Sequence, residues 1–177
     1  RSLGRVAGTI LYNALVLLWP DAENWPEGGE IDFMEIGDPD RQEVDVFLHY
    51  GEDDEQKHGR VQTDATRWHN WAVEWTPTSI TTFLDGQKWY GPMDPAVQPP
   101  GPMHLCIQLD WFPSGSPTVR ESTMEVDWVR EYDLSSSQVY RGHFKTSRSV
   151  QARGPGFEVP SPLSAGSAKW AYCPRGV

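Results

Sequence analysis

The chain has 177 residues, with 25 acidic against 15 basic side chains and a formal net charge of −10. That length suits one domain with a substantial core and is short for two. So acidic a surface argues against nucleic acid or an anionic membrane as partner, since neither is attracted to it, and is compatible with a neutral polysaccharide. Nine tryptophans, eight of them before residue 130, fit a core supplemented by flat stacking platforms.

Ile10 to Trp19 is the one strongly apolar run, with Arg1 and Arg5 ahead of it. A charged segment followed by an apolar one is the outline of an export signal, but no small-residue cleavage site follows. The run is about half the length of a membrane-spanning helix and contains Asn13, so a buried strand is predicted. Trp19-Pro20 and Trp25-Pro26 come next, and Gly28-Gly29 allows a tight turn into the following segment.

That segment, Glu30-Ile31-Asp32-Phe33-Met34-Glu35, is the most informative part of the chain. On a strand successive side chains point to opposite faces, which puts Glu30 and Asp32 on one face and Ile31 and Phe33 on the other. Strict alternation places Glu35 with the apolar residues. One extra residue at Phe33-Met34, a β-bulge, returns it to the carboxylate face. Three acids on one face repel one another and force their pKa values apart, which is poor for folding and useful for acid–base chemistry. Beside a cluster of tryptophans, such a strand suggests a sugar cleft.

Beyond it, Asp38-Pro39-Asp40-Arg41 reads as a solvated loop, because its acids lack the spacing of a calcium motif. His49 shares a strand face with Asp45 and Phe47; either it hydrogen-bonds Asp32 or Glu35, or it is a satisfied core histidine. His69 is read as structural, and no spacing supports a metal site. Ile80–Leu84, Asp85-Gly86 and Gln87–Tyr90 form the clearest hairpin, since Asp-Gly readily adopts the positive φ of a two-residue turn. Pro92 to Pro102 is too proline-rich for a central ladder and is read as a loop. Cys106, within Leu105-Cys106-Ile107, is read as a small core hydrophobe; a bond to Cys173 stays open. Met124, Val126 and Trp128 alternate with Glu125 and Asp127, as on a half-buried strand. Trp68, Trp71, Trp75 and Trp128 are assigned to the core by the same alternation. Short strands, turn signals and the lack of any helix-length periodic segment predict an all-β sandwich.

Composition changes near Asp133. Up to Tyr132 there are 23 acidic and 9 basic side chains; from Asp133 to Val177 there are 2 and 6, with 8 Ser, 5 Gly and 4 Pro. The expected organisation is therefore a folded body over 1–132 and a disordered or irregular basic tail over 133–177 that contributes no strand pairing, with local docking of Trp170, Tyr172 and Cys173 left open.

Glu-Ile-Asp-Phe-Met-Glu, entered through Trp25-Pro26-Glu27-Gly28-Gly29, resembles the active-site strand of glycoside hydrolase family 16, in its bulged, laminarinase-like branch. Val46–Gly51, Trp68–Trp75, Leu84-Asp85-Gly86 and Met124–Tyr132 resemble further family segments in family order. The resemblance covers roughly 10–132 and implies a concanavalin A-like jelly roll that cleaves β-linked glucan or galactan internally, with retention of configuration. It also implies Glu30 as nucleophile, Glu35 as general acid/base, and Asp32 between them hydrogen-bonding the nucleophile. Trp19, Trp25 and Trp111 are the tryptophans nearest the cleft elements and are expected to stack on pyranose rings. Gln108, Asp110 and Trp111 lie on the strand that lines the cleft in the family, though without its commoner Asn-containing pattern.

Several further expectations follow from the resemblance. No cofactor is required, and the N-terminal residues with which some members bind a structural calcium are absent. The partner is a polysaccharide, the complete protein a monomer, and the location extracellular, although no signal peptide is visible. Only 29 residues precede Glu30, fewer than in family members, which predicts missing first strands and a weak or inactive enzyme. The rival readings are a non-catalytic, lectin-like carbohydrate-binding sandwich and an inactive fragment; the intact acidic triad favours the enzyme.

Overall fold

The computed structural model describes residues 12–110, 123–133, 150–152 and 168–175. Eleven strands are present among them: β1 (Asn13–Pro20), β2 (Glu30–Ile36), β3 (Glu43–Tyr50), β4 (Glu55–Gln62), β5 (Trp71–Thr76), β6 (Ser79–Leu84), β7 (Gln87–Met93), β8 (Met103–Asp110), β9 (Met124–Asp133), β10 (Val150–Ala152) and β11 (Ala168–Arg175). They form a five-stranded sheet in the order β4-β3-β2-β1-β8 and a six-stranded sheet in the order β10-β9-β11-β5-β6-β7. All strand pairs are antiparallel, and the architecture is the expected β-jelly-roll sandwich.

One apolar cluster joins the two sheets. Val16, Leu18, Ile31, Phe33, Met34, Val46 and Leu48 meet Trp71, Val73 and Ile80 across it, all of them completely buried. Burying each such side chain contributes about 1.5–3 kcal/mol, so this layer holds the sheets together. The alternation that sends these residues inward sends Glu30, Asp32, Glu35, Asp45 and His49 to the outer face of the five-stranded sheet.

The bulge is where the sequence puts it. Along β1 the register passes from Val16↔Met34 to Leu17↔Asp32, which leaves Phe33 without an opposite residue. Against β3 the register also shifts between Asp32 and Glu35. Phe33 and Met34 consequently both lie in the core cluster, and Glu35 returns to the outer face. The entry to β2 is fixed by Gly29 at φ +75, where an added Cβ would come within 3.2 Å of the His49 carbonyl oxygen. The Asp-Gly hairpin forms too, with Asp85 at φ 50 and Gly86 at φ 79. Pro92 lies on β7, an edge strand of the second sheet, where a missing backbone donor is tolerated.

Three expectations need correction. The segment 133–177 does supply strand pairing: β11 lies between β9 and β5, and β10 extends the same sheet beyond β9. Trp170 and Tyr172 favour extended structure, but eight residues of strand are diluted within a Ser-, Gly- and Pro-rich stretch. At its end the register shifts between Tyr172 and Pro174, where proline cannot donate to the ladder. Trp68 is not in the core but 36% exposed, because β5 begins only at Trp71 and the alternation does not reach back to it. Trp128 is only half-buried, with the Arg130 guanidinium 4.7 Å from its ring centre. Trp71 is completely buried, and Trp75 packs against the cluster as expected.

Candidate active site

Five strands contribute to the outer face of the first sheet. From β2 come Glu30, Asp32 and Glu35, and from β3 Asp45, Phe47 and His49. Across β1 the register sets Leu15 opposite Glu35 and Leu17 opposite Asp32, and β8 continues the rows with Gln108 beside Leu15 and Asp110 beside Asn13. Leu15, Leu17 and Cys106 form a small apolar floor with Trp19 packed on it. Cys106 thus behaves as the small hydrophobe anticipated, on the outer side of the sheet.

Asp32 is the most deeply buried of the acids, at 3% exposure. Its Oδ2 lies 3.3 Å from His49 Nε2, while His49 Nδ1 lies 2.7 Å from Asp54 Oδ1. With a carboxylate at each ring nitrogen, His49 keeps its proton: the hydrogen bond to Asp32 is the main cause of a pKa pushed up to about 9. Of the alternatives left open by the sequence, His49 takes the bond to Asp32. Asp32 Oδ1 is buried without a hydrogen-bond partner, and a hydrogen bond joins the Asp32 and Glu30 carboxyls. Burial drives the Asp32 carboxyl above its ordinary range, opposed by the bonds from His49 and Glu30.

Burial, reinforced by the charge of Asp32 and a hydrogen bond to it, pushes Glu30 up to about 8; the His49 charge and a hydrogen bond from Trp25 pull the other way. Glu35 is also raised, first by burial and then by the charge of Asp45, while Asn13 Nδ2 donates to its Oε1 at 3.3 Å. Asp110, at the far end of the β8 row, is raised by burial. Glu30, Asp32 and Glu35 thus hold protons more tightly than ordinary carboxylic acids, and one imidazolium stands against them.

The tryptophans split as their positions dictate. Trp19 and Trp25 stack with ring centres 6.4 Å apart and planes within 8°, and Trp25 reaches on to His49 at 6.1 Å. Trp25 is 40% exposed, and Trp19 is held by a 2.9 Å hydrogen bond from its Nε1 to Glu23. They make a ledge beside Glu30. Trp111, expected to join them, lies outside the described residues. On the opposite flank Phe47 stacks on His58 at 4.5 Å, an aromatic pair that the sequence reading missed.

Missed as well was the support from β4, a strand with hardly an apolar residue to mark it. Arg60 grips Asp45 with two hydrogen bonds, Nε to Oδ1 at 2.7 Å and Nη2 to Oδ2 at 3.0 Å, and His58 Nε2 lies 2.7 Å from the same Oδ1. His69, read as structural, bonds Asp85 at 2.8 Å and the Asp64 carbonyl at 3.0 Å. In the 38–41 loop both Asp38 oxygens accept from backbone amides, those of Asp40 and Gln42. They are engaged in holding the turn.

The ligand atoms of Glu30, Asp32 and His49 lie within 4.8 Å of one another, close enough to converge on a metal ion. Glu30 and His49 both carry protons at neutral pH, however, and an ion would have to displace them before either could ligate.

A two-sheet antiparallel sandwich with paired glutamates on one bulged strand, an aspartate between them and an aromatic ledge alongside defines a class: jelly rolls that carry a row of acids on one face. The sequence profile of glycosyl hydrolases family 16 matches residues 4–130, and the chain belongs to that family. Its members are glycoside hydrolases of β-glycans. The chain is also 28% identical over 83 residues to the clotting factor G alpha subunit of Tachypleus tridentatus, a match covering 42% of this chain and 12% of that protein. It therefore spans only a small part of that relative's length. Among the described residues no helix is long and apolar enough to cross a membrane.

Proposed function

We propose that the chain is an endo-acting hydrolase of a β-linked polysaccharide, a glucan or galactan, working with retention of configuration by double displacement. The observation that carries this reading is the bulge, which turns Glu30 and Glu35 to one face with Asp32 between them. Glu30 attacks the anomeric carbon while Glu35 gives its proton to the departing glycosidic oxygen, leaving a glycosyl ester on Glu30. Glu35, now ionised, takes a proton from water as that water attacks the anomeric carbon and frees Glu30. Glu30 must be ionised to attack, and Asp32, hydrogen-bonded to it and backed by His49, is placed to hold the proton it gives up. Trp19 and Trp25 support a pyranose ring, with Gln108 and Asp110 available to its hydroxyls at the other end of the face. The reaction needs no cofactor, and the partner is an extracellular polysaccharide.

A second reading, a carbohydrate-binding sandwich without turnover, is favoured by the protonated state of Glu30, since a carboxyl pushed up to about 8 is a poor nucleophile below that pH. Reducing-sugar release from laminarin, lichenan, agarose and porphyran, measured from pH 5 to 9, separates the two. The enzyme reading expects turnover on at least one glycan, abolished by Glu30→Gln and reduced at least about a hundredfold by Glu35→Gln. Saturable binding without release at any pH supports the second reading and defeats the first.

A further inference from the structure

Asp45 stands out among the groups that this mechanism does not use. It is 7% exposed and lies opposite Glu35 in the β2–β3 register. An acid buried beside another acid ordinarily gives up its charge, because desolvation and repulsion both favour the neutral form. Asp45 is prevented from doing so. Arg60 takes both of its oxygens and His58 one of them, and Arg60 is itself held on the far side by Glu43 at 2.7 Å. Burial alone would raise Asp45, yet the Arg60 and His58 bonds outweigh it and hold the carboxyl below its ordinary range. The fold therefore maintains a fixed negative charge against the acid/base candidate.

We propose that Asp45, clamped by Arg60 and His58, is a positioning residue that keeps a proton on Glu35. The proposal rests on the assignment of Glu35 as general acid/base and extends it to the group that sets its protonation. In the first step the neighbouring charge keeps Glu35 an acid until the glycosidic oxygen takes its proton. In the second, the same charge makes the ionised Glu35 a stronger base towards water. Asp45 touches neither substrate nor reacting atom in this account. The other charged or titratable groups on this face are Glu30 and Asp32 from β2, Glu43 and His49 from β3, His58 and Arg60 from β4, and His104 and Asp110 from β8, while Asn13 from β1 is neutral. Glu30, like Asp45, raises Glu35, and His49 lowers it. Arg60 pairs with Glu43 as well as Asp45, and of these two carboxylates Asp45 is the one opposite Glu35 in the register.

The experiment is a carbon-13 NMR titration of the Glu35 carboxyl in the full chain, in the wild type, Asp45→Asn and Asp45→Glu, alongside the pH profile of hydrolysis. In Asp45→Asn the Glu35 midpoint should fall by on the order of one pH unit, the scale of one nearby charge in a partly buried site. The alkaline limb of kcat/KM should move with it, KM should stay nearly constant, and Asp45→Glu should restore most of the shift. A lower melting temperature in Asp45→Asn with an unmoved Glu35 midpoint overturns the proposal and leaves Asp45 a purely structural clamp. The titration decides this even if no glycan is hydrolysed. A fallen midpoint in a protein without turnover upholds the electrostatic role of Asp45 and refutes the enzymatic reading on which its use depends. Should Asp45→Asn fail to fold, Asp45→Ser, a shorter neutral replacement, should lower the Glu35 midpoint in the same way, and an unmoved midpoint there counts against the proposal.

Discussion

Asp32 and Asp45 sit on adjacent strands, on the same face of the same sheet, and both are almost completely buried, yet they titrate in opposite directions. Asp32 has a histidine on one oxygen and no hydrogen-bond partner on the other, and burial drives it upward. Asp45 has an arginine across both oxygens and a histidine besides, and is driven downward. Burial therefore does not decide the charge of an acid here; the donors that accompany it do. One corner of the site holds protons that can be moved, and the neighbouring corner holds a charge that cannot.

The hardest way to break this contrast is to remove the mobile protons. Glu30→Gln should abolish the covalent route, and Glu35→Gln should reduce kcat by about 10²–10⁴-fold, the usual worth of a positioned proton donor. Near-ultraviolet circular dichroism should be unchanged in both. Near-normal turnover by either folded variant contradicts the assignment.

The tryptophans offer a second contrast, between an aromatic that holds the sheets together and one that faces substrate. Trp71→Ala should cost about 3–5 kcal/mol of stability, since its ring is completely buried between the sheets. Trp25→Ala, at 40% exposure, should leave the melting temperature within a few degrees of the wild type and raise KM instead. If Trp25→Ala unfolds the protein, the ledge beside Glu30 is structural.

What could be read from the sequence follows the physics of each segment. The acidic strand was legible because a two-residue period conflicts with Glu35, and a single bulge resolves the conflict while sending Phe33 and Met34 into the core together. Asp85-Gly86 was legible because few other pairs accept two positive φ values in succession. β4 was not: Glu55–Gln62 gains its place from pairing with β3 along eight residues, and no apolar rhythm records that. The clamp on Asp45 was hidden with it, since Arg60 and His58 come from that strand. β11 escaped notice for a related reason, because its pairing to two neighbours is long-range and its composition was averaged with that of its surroundings. Trp68 shows the opposite error, an alternation carried three residues beyond the start of its strand.

The smallest expected effects are pH-dependent shifts in stability, and these sharpen the contrast between corners. Glu30 ionises near 4.5 when unfolded and at about 8 in the fold, so its charge costs nothing below pH 4.5 and progressively destabilises the protein as pH rises to 8. Glu30→Gln should therefore melt at the wild-type temperature near pH 4 and a few degrees higher at pH 8 to 9. His49 has the reverse sign. Its pKa rises from 6.5 to about 9 on folding, so its contribution is complete below pH 6.5 and is lost as pH climbs through 9. His49→Gln should cost more at pH 6 than at pH 10. Thermal melts across that range check both, and parallel curves for wild type and variants would deny the coupling.

The most direct test of the central claim, that Glu30 is the nucleophile and Glu35 its proton partner, is to trap the covalent intermediate. A 2-deoxy-2-fluoro glycoside with a good leaving group, built on whichever sugar the chain hydrolyses, slows both steps and lets the ester accumulate. Mass spectrometry of the digested protein should then place one added glycosyl group on the peptide carrying Glu30, and fragmentation should assign it to that residue. A label on Glu35 or Asp32, or steady turnover of the glycan with no covalent adduct, would contradict the account.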